Sequence, residues 1–331
     1  MSKNQIVIPI EVEVDKDDFV FVNKERAQEI VFTLFGECNL RCDFCCDAFR
    51  HGNEATVDKI MKRLGLFLKE LPTISKDVLD LKVLGGELYQ DKFGDDIFDA
   101  YDKFFGTILE ESTKLGKTVN FHTSTNLIFH KKERVLKLLQ KYNIKVRGSF
   151  DFVGRFKSHR QVEIFTNNLE YLNENGISVE VAFVATKSNM DAIYNKGQYF
   201  DDWKYLYDHY EMQFDYYNDV GVEEYKVTEK DICEFFVYLY KNYPKITNIR
   251  VLVENYNRGV VNNRYCNRGI WIDEVTMKQC CDMKVVTKAL LDNKQCFVCP
   301  YYNLCSGTCY RVFYEDSYCH LKEFYRYLEN E

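Results

Sequence analysis

Cys38-Asn39-Leu40-Arg41-Cys42-Asp43-Phe44-Cys45 sets three cysteines at C-x3-C-x2-C spacing, just after the apolar run Glu29-Ile30-Val31-Phe32-Thr33-Leu34-Phe35-Gly36. The run reads as a strand that delivers the chain into a cysteine loop, and a loop after a strand is where a barrel places its active site. Three thiolates this close in sequence can wrap one metal ion or one inorganic cluster. Iron–sulfur clusters are commonly held by four cysteines, so a set of three predicts one iron open to a non-protein ligand. The same spacing also suits a zinc site or a trio of reduced core thiols.

Outward from that loop, positions 6–22 alternate apolar and polar residues and predict a short hairpin packed as a cover on the main domain. On the other side, helical spacing over 57–71, 93–115, 132–142, 162–175 and 191–210 alternates with strand-like runs at 78–84, 118–123, 144–150, 177–185 and 212–216. Short strands alternating with longer helices predict parallel strands joined by crossover helices, here an α/β fold with a partial (β/α)6 TIM-type barrel. Thr228, with Asp231 three residues on, opens a further helix that Pro244 ends, and 249–254 is strand-like. The composition then changes, with eight of the 13 cysteines falling between Cys266 and Cys319. These patterns divide the chain into an N-terminal hairpin over 1–28, a barrel over 29–245 and a small Cys-rich C-terminal domain over 246–331.

With 331 residues and 46% hydrophobic content, the chain can bury a large core. A formal charge of −7 argues against a general nucleic-acid binder, which needs a basic face to neutralise phosphates. No apolar run of about 18 residues is free of charge, and the first residues lack the basic start and apolar stretch of a signal peptide. A cytoplasmic protein is expected, without membrane or nucleic-acid partners. In a reducing compartment an odd number of cysteines, 13, reads as cluster or metal ligands rather than as disulfides. Cys233, inside a predicted helix, reads as an apolar core residue.

The cysteine spacing, with aromatic Phe44 before the last cysteine, resembles the signature of the radical S-adenosylmethionine (radical SAM) enzymes. The resemblance implies a 4Fe–4S cluster on Cys38, Cys42 and Cys45, with Phe44 at the cofactor and Cys46 a spare neighbour. The open iron would bind the amino and carboxylate groups of S-adenosylmethionine. Gly85-Gly86-Glu87 resembles the family's GGEP, with Leu88 in place of proline, and implies a contact to the methionine amino group. Two residues without Cβ allow close approach of backbone and cofactor. Ser124-Thr125-Asn126 resembles Thr-Asn-Gly, with Leu127 replacing glycine, and implies ribose contacts from Ser124 and Asn126. Ser149-Phe150-Asp151 with trailing Arg160 resembles a motif of peptide-modifying members, implying a cofactor contact from Ser149 and a carboxylate partner in Arg160. Strand-end turn residues and surface polar groups are the plainer reading of the last two motifs. The run Tyr205, Tyr207, Tyr210, Phe214, Tyr216 and Tyr217 suits helical core packing for the most part, with a peptide groove as the alternative. His122, in a strand beside the ribose motif, is given no role.

Cys296-x2-Cys299-x5-Cys305-x3-Cys309, followed by Cys319, resembles the core of the SPASM domain of radical SAM maturases. That resemblance implies one auxiliary 4Fe–4S cluster on Cys296, Cys299, Cys305 and Cys319, and a second on Cys266, Cys281 and Cys309, with Cys280 the rival of Cys281. Asp282, after Cys281, corresponds to a candidate catalytic base. A zinc ribbon is the alternative for the CxxC pair. The cofactors implied are S-adenosylmethionine and three 4Fe–4S clusters.

The resemblance implies an oxidoreductase in which reduced cluster cleaves S-adenosylmethionine to a 5'-deoxyadenosyl radical that abstracts hydrogen from substrate. A ribosomally made peptide is the expected substrate, gaining a thioether or C–C crosslink or a related side-chain modification. The alternatives are formylglycine formation of the sulfatase-maturase type, small-molecule dehydrogenation, and a non-catalytic iron–sulfur electron-transfer protein. A flavodoxin- or ferredoxin-type electron donor is implied. Residues before 29 leave no room for a leader-binding domain, so recognition is expected to use the barrel itself or a separate leader-peptide-binding protein, unless the substrate is not a leader peptide.

Overall fold

The structure, a computed structural model, describes residues 27–48, 51–218, 220–259, 270–272, 277–279, 299–301, 304 and 318–331. The predicted hairpin lies almost wholly outside the described residues.

Six parallel strands run in chain order: β1 (Gln28–Thr33), β2 (Val78–Leu84), β3 (Thr118–Thr125), β4 (Lys145–Ser149), β5 (Val179–Ala185) and β6 (Met212–Tyr216). They curl into a half-barrel, the expected partial (β/α)6 architecture. Helices α1 (Val57–Glu70), α2 (Asp95–Lys114), α3 (Lys132–Lys141) and α4 (His159–Glu174) each follow one strand, and α5 (Lys187–Tyr194) and α6 (Phe200–His209) together follow β5.

The strands carry two unlike faces. In β2, Leu79, Leu81 and Val83 are fully buried while Asp80 and Lys82 between them are half-buried. Successive side chains point to opposite faces, so the apolar set lies against the helices and the polar set lines the barrel interior. The outer layer is rich in edge-on aromatic pairs, among them Phe32 with Phe67 at 5.4 Å, Phe32 with Phe104 at 5.2 Å and Phe105 with Phe121 at 5.0 Å. Such pairs add about 0.5–1.5 kcal/mol each beyond their burial. Buried Arg63 of α1 donates from Nε to the carbonyl of Thr33 at 2.5 Å, satisfying the end of β1 where the cysteine loop begins.

Two elements differ from expectation. The helix read over 191–210 is two helices, because Lys196 and Tyr199 take left-handed conformations (φ 50° and 63°) between them. The strand-like 249–254 lies inside a helix, α8 (Thr247–Arg258), after α7 (Glu229–Asn242). Ile249, Leu252 and Asn255 are buried at helical spacing, a period that six residues are too few to display.

The sheet continues past the half-barrel. Strand β7 (Ile270–Ile272) pairs parallel with β1 on the side away from β2, and β8 (Met277–Gln279) pairs antiparallel with β7. The last helix, α9 (His320–Asn330), docks on α7 through Phe236 and Phe324, 5.6 Å apart and edge-on. No helix of the described residues is long and apolar enough to cross a membrane.

Candidate active site at the strand ends

Leaving β1, the chain is stitched to its surroundings by its own backbone. Leu34 N–H donates to Leu84 O (2.8 Å), Gly36 and Glu37 N–H to Asn53 O (3.0 Å each), and Asp43 N–H to Gly154 O (3.0 Å). Glu37 O in turn accepts from the N–H of Glu87 at 2.9 Å. Leu40 and Phe44 are buried anchors, the latter edge-on to Tyr225 at 5.7 Å. The loop is thereby held so that half-buried Cys38, Cys42 and Cys45 line one cavity of about 480 Å³.

Gly85, Gly86 and Glu87 follow β2 into the same wall, with Ser124 and Asn126 from the end of β3 and Ser149 from the end of β4. Gly86 is fixed by the loop itself, since a Cβ there would collide with the carbonyl oxygens of Gly36 and Glu37. The Glu87 carboxylate is 2% exposed and binds β2 to β3, accepting from Thr125 Oγ1 (2.8 Å), Asn126 N–H (2.7 Å) and Tyr89 N–H (3.1 Å). Burial pushes its pKa up against those three donors. Asn126 donates from Nδ2 to Asn39 Oδ1 at 2.7 Å, tying the β3 end to the cysteine loop.

Burial pushes the Cys38 thiol up to about 12, and raises Cys42 and Cys45 above the ordinary thiol range. Thiols held this way need a cationic partner to become thiolate ligands. Among the described residues no three His, Cys, Asp or Glu side chains are drawn together as a single metal ion requires. Three soft sulfur donors spaced around a cavity suit a larger inorganic cluster, and the adjoining polar strand ends leave space for a small molecule beside it.

Arg155 is one of the cavity residues that sequence reading missed, with His51, Arg147 and Asp215. Its Nε donates to Asp151 Oδ2 at 2.5 Å, and its guanidinium lies 5.4 Å from the centre of the Phe44 ring. Asp151 is fully buried and accepts at Oδ1 from Val184 N–H (2.7 Å) and Asn189 Nδ2 (2.9 Å), so the arginine is aimed by a fixed carboxylate. Burial opposes the Arg155 charge, and the facing Cys42 and Asp151 outweigh it, holding its pKa above the ordinary value. Arg160 stands exposed in the first turn of α4, away from the cavity lining. The i,i+4 spacing of Asp151 and Arg155 was the available signal. Tyr216 and Tyr217, from the aromatic run, also line the cavity, whereas Tyr207 is buried in α6 against Trp203. Cys46 is in the lining too, and Cys45 Sγ lies 3.5 Å from His51 Nε2.

Of the expected auxiliary ligands, Cys266, Cys281, Cys296, Cys305 and Cys309 lie outside the described residues, as do Cys280 and Asp282. Cys299 and Cys319 are half-buried and pack against the main core. Next to Cys319, buried His320 places Nδ1 at 3.1 Å from Glu229 Oε2 and Nε2 at 3.1 Å from Tyr216 Oη, on the cavity wall. Cys233 is buried in α7.

No family model and no curated protein matches the sequence. Among solved structures, the chain is similar to hexahistidine-tagged anSMEcpe with bound AdoMet, at 16% identity over 92% of this chain and 97% of that one, with TM-score 0.62. It is similar to native anSMEcpe with bound AdoMet and Kp18Cys peptide, at 17% identity over 92% and 98%, with TM-score 0.61. The structure of Streptococcus suis SuiB bound to S-adenosylmethionine is also similar, at 16% identity over 88% and 77%, with TM-score 0.52. The chain thus has the fold of the radical SAM enzymes. Its structural neighbours are an anaerobic sulfatase-maturating enzyme of the SPASM type and a peptide-modifying radical SAM enzyme.

Proposed function

We propose that this chain is a radical SAM oxidoreductase that modifies a peptide, with Cys38, Cys42 and Cys45 as ligands of its first 4Fe–4S cluster. The observation that carries the reading is the convergence of three thiols and the ends of β2, β3 and β4 on one cavity. When bound, the cluster and S-adenosylmethionine supply a radical able to take hydrogen from an unactivated carbon. The chain's own residues bind, aim and exclude water. Arg155 offers a fixed cation to the methionine carboxylate, the role sequence reading gave to Arg160. The backbone at Gly85 and Gly86 meets the methionine amino group, while Ser124, Asn126 and Ser149 serve the nucleoside. Phe44 closes one side.

The modification we favour is a thioether or C–C crosslink, or a related oxidation, in a ribosomally made peptide. Asp282 would act as base, and Cys266, Cys281 and Cys309, with Cys296, Cys299, Cys305 and Cys319, would hold two auxiliary clusters, which would supply electron-accepting chemistry there. A flavodoxin- or ferredoxin-type donor in the cytoplasm reduces the enzyme, and a separate protein presents the leader peptide. Formylglycine formation is the second reading, favoured by the likeness to anSMEcpe.

Anaerobic reconstitution should load about 12 iron atoms, and the reduced protein should convert S-adenosylmethionine to 5'-deoxyadenosine. Cys42→Ala should abolish that conversion. Bound zinc with negligible iron, or unchanged conversion by the variant, refutes the assignment. A crosslinked peptide and a formylglycine product differ in mass, which separates the two readings.

A further inference from the structure

Below the cysteine cavity the barrel interior holds a second cavity of about 480 Å³, and Leu84, Ser124 and Arg147 line both. Its walls follow from strand register. Lys82, His122 and Lys145 are successive cross-strand partners on β2, β3 and β4, forming one row of basic residues. One step along, Ser124, Arg147 and Glu180 form the next row, and Glu211 stands beside Glu180 at the entry to β6. A row of basic residues therefore stands beside an acidic corner in one half-open space, with Lys145 and Glu211 exposed at its mouth.

The polar groups here are only partly used by the chain. Arg147 Nη2 donates to Asp215 Oδ1 at 2.7 Å, while its buried Nε has no hydrogen-bond partner among the described residues. The buried Nε2 of His122 also lacks a hydrogen bond there, its nearest carboxylate oxygen being Asp80 Oδ1 at 3.8 Å. Lys82 pairs with Glu29 at 2.8 Å, whereas no ion pair within 4.0 Å involves Lys145 among the described residues. Glu180 accepts from Gln213 Nε2 at 2.8 Å, which leaves carboxylate lone pairs for a further donor. Leaving a buried donor without a partner is costly, so these unpartnered nitrogens favour a ligand, or ordered water that a ligand displaces.

We propose that the inner cavity is a substrate subsite for a dipolar ligand, its carboxylate held by Lys145 and Arg147 and its cationic group by Glu180 and Glu211. The ligand reaches the radical site from within the barrel, past Ser124 and Arg147. The inference rests on the peptide reading above and narrows it to peptides that carry an acidic and a basic group close together. Those groups are either neighbouring side chains or the two termini of a short peptide.

The test uses the full chain, reconstituted anaerobically, and ligand-observed NMR with four probes: acetyl-Glu-Lys-amide, acetyl-Gln-Lys-amide, acetyl-Glu-Gln-amide and free glycylglycine. Acetyl-Glu-Lys-amide should bind at least tenfold more tightly than either singly charged analogue. Lys145→Gln should remove its advantage over acetyl-Gln-Lys-amide, and Glu180→Gln its advantage over acetyl-Glu-Gln-amide. Preferred binding of glycylglycine, with the same loss in both variants, supports the subsite and assigns the dipole to chain termini. Equal affinity for all four probes, or wild-type discrimination retained in both variants, overturns the proposal. Because binding is read without turnover, a protein that discriminates the probes but makes no 5'-deoxyadenosine refutes the radical reading alone. The reverse result refutes the subsite alone.

Discussion

A methyl group at position 86 has nowhere to go, because the carbonyls of Gly36 and Glu37 occupy its place. Sequence reading gave both glycines of the GGE motif to the cofactor. The structure gives Gly86 a second task, seating the β2 end against the loop that carries Cys38. Arg155 is the more telling residue, since it is aimed at the cysteine cavity by buried Asp151. Losing a charge-assisted hydrogen bond costs about 1.5–3 kcal/mol, or about 10–160-fold. Arg155→Gln should therefore weaken S-adenosylmethionine binding by about that factor, measured by equilibrium dialysis, with Arg160→Gln changing it less than twofold. Equal effects from the two variants would remove Arg155 from the site. The cysteine and GGE motifs were legible because contiguous residues carry them. Arg155 was not, because its place depends on a fold-back that Asp151 makes with Val184 and Asn189, residues about 30–40 positions later.

Among the elements, α7 shows a helix whose start was readable and whose chemistry can be tested. Thr228 Oγ1 accepts from Asp231 N–H at 3.1 Å, and Asp231 Oδ2 accepts from Thr228 N–H at 2.8 Å, a complete capping box. Burial works to raise the Asp231 pKa, but the Thr228 N–H and hydroxyl, with Lys187, outweigh it and hold the carboxyl below its ordinary value. A depressed carboxyl contributes stability above the unfolded-state pKa of about 4 and loses it as pH falls through the folded value. Thr228→Ala should cost about 1 kcal/mol at neutral pH. Asp231→Asn should flatten the acid side of the thermal-midpoint curve, and an unchanged acid slope would dismiss the box as a source of stability. Strand positions were legible for β2 and β6 to the residue, β2 running directly into the Gly85-Gly86 turn. The strand-like run now inside α8 misled because a short apolar run has no period of its own.

At the scale of the molecule, one sheet unites the barrel with the strand pair beyond it. Strand β7 extends the sheet from β1, and α9 closes on α7 with His320 and Glu229 buried between them. The six-unit barrel could be read from alternation, but the added strand pair could not, since three residues give no pattern and the pairing is non-local. The stitched cysteine loop has a further meaning for the life of the protein. Its shape is held by Asn53, Leu84, Glu87 and Gly154 through backbone bonds that need no metal. In zinc fingers, by contrast, metal binding supplies the folding energy itself. The first cluster would then be cargo loaded into a finished berth, open to loss and repair after oxidation without the chain being remade. Stripping iron with a chelator should leave the helical circular-dichroism signal and its cooperative melting in place, and fresh iron and sulfide should restore S-adenosylmethionine cleavage. Collapse of the helical signal on chelation would show instead that the loop is folded by its cargo.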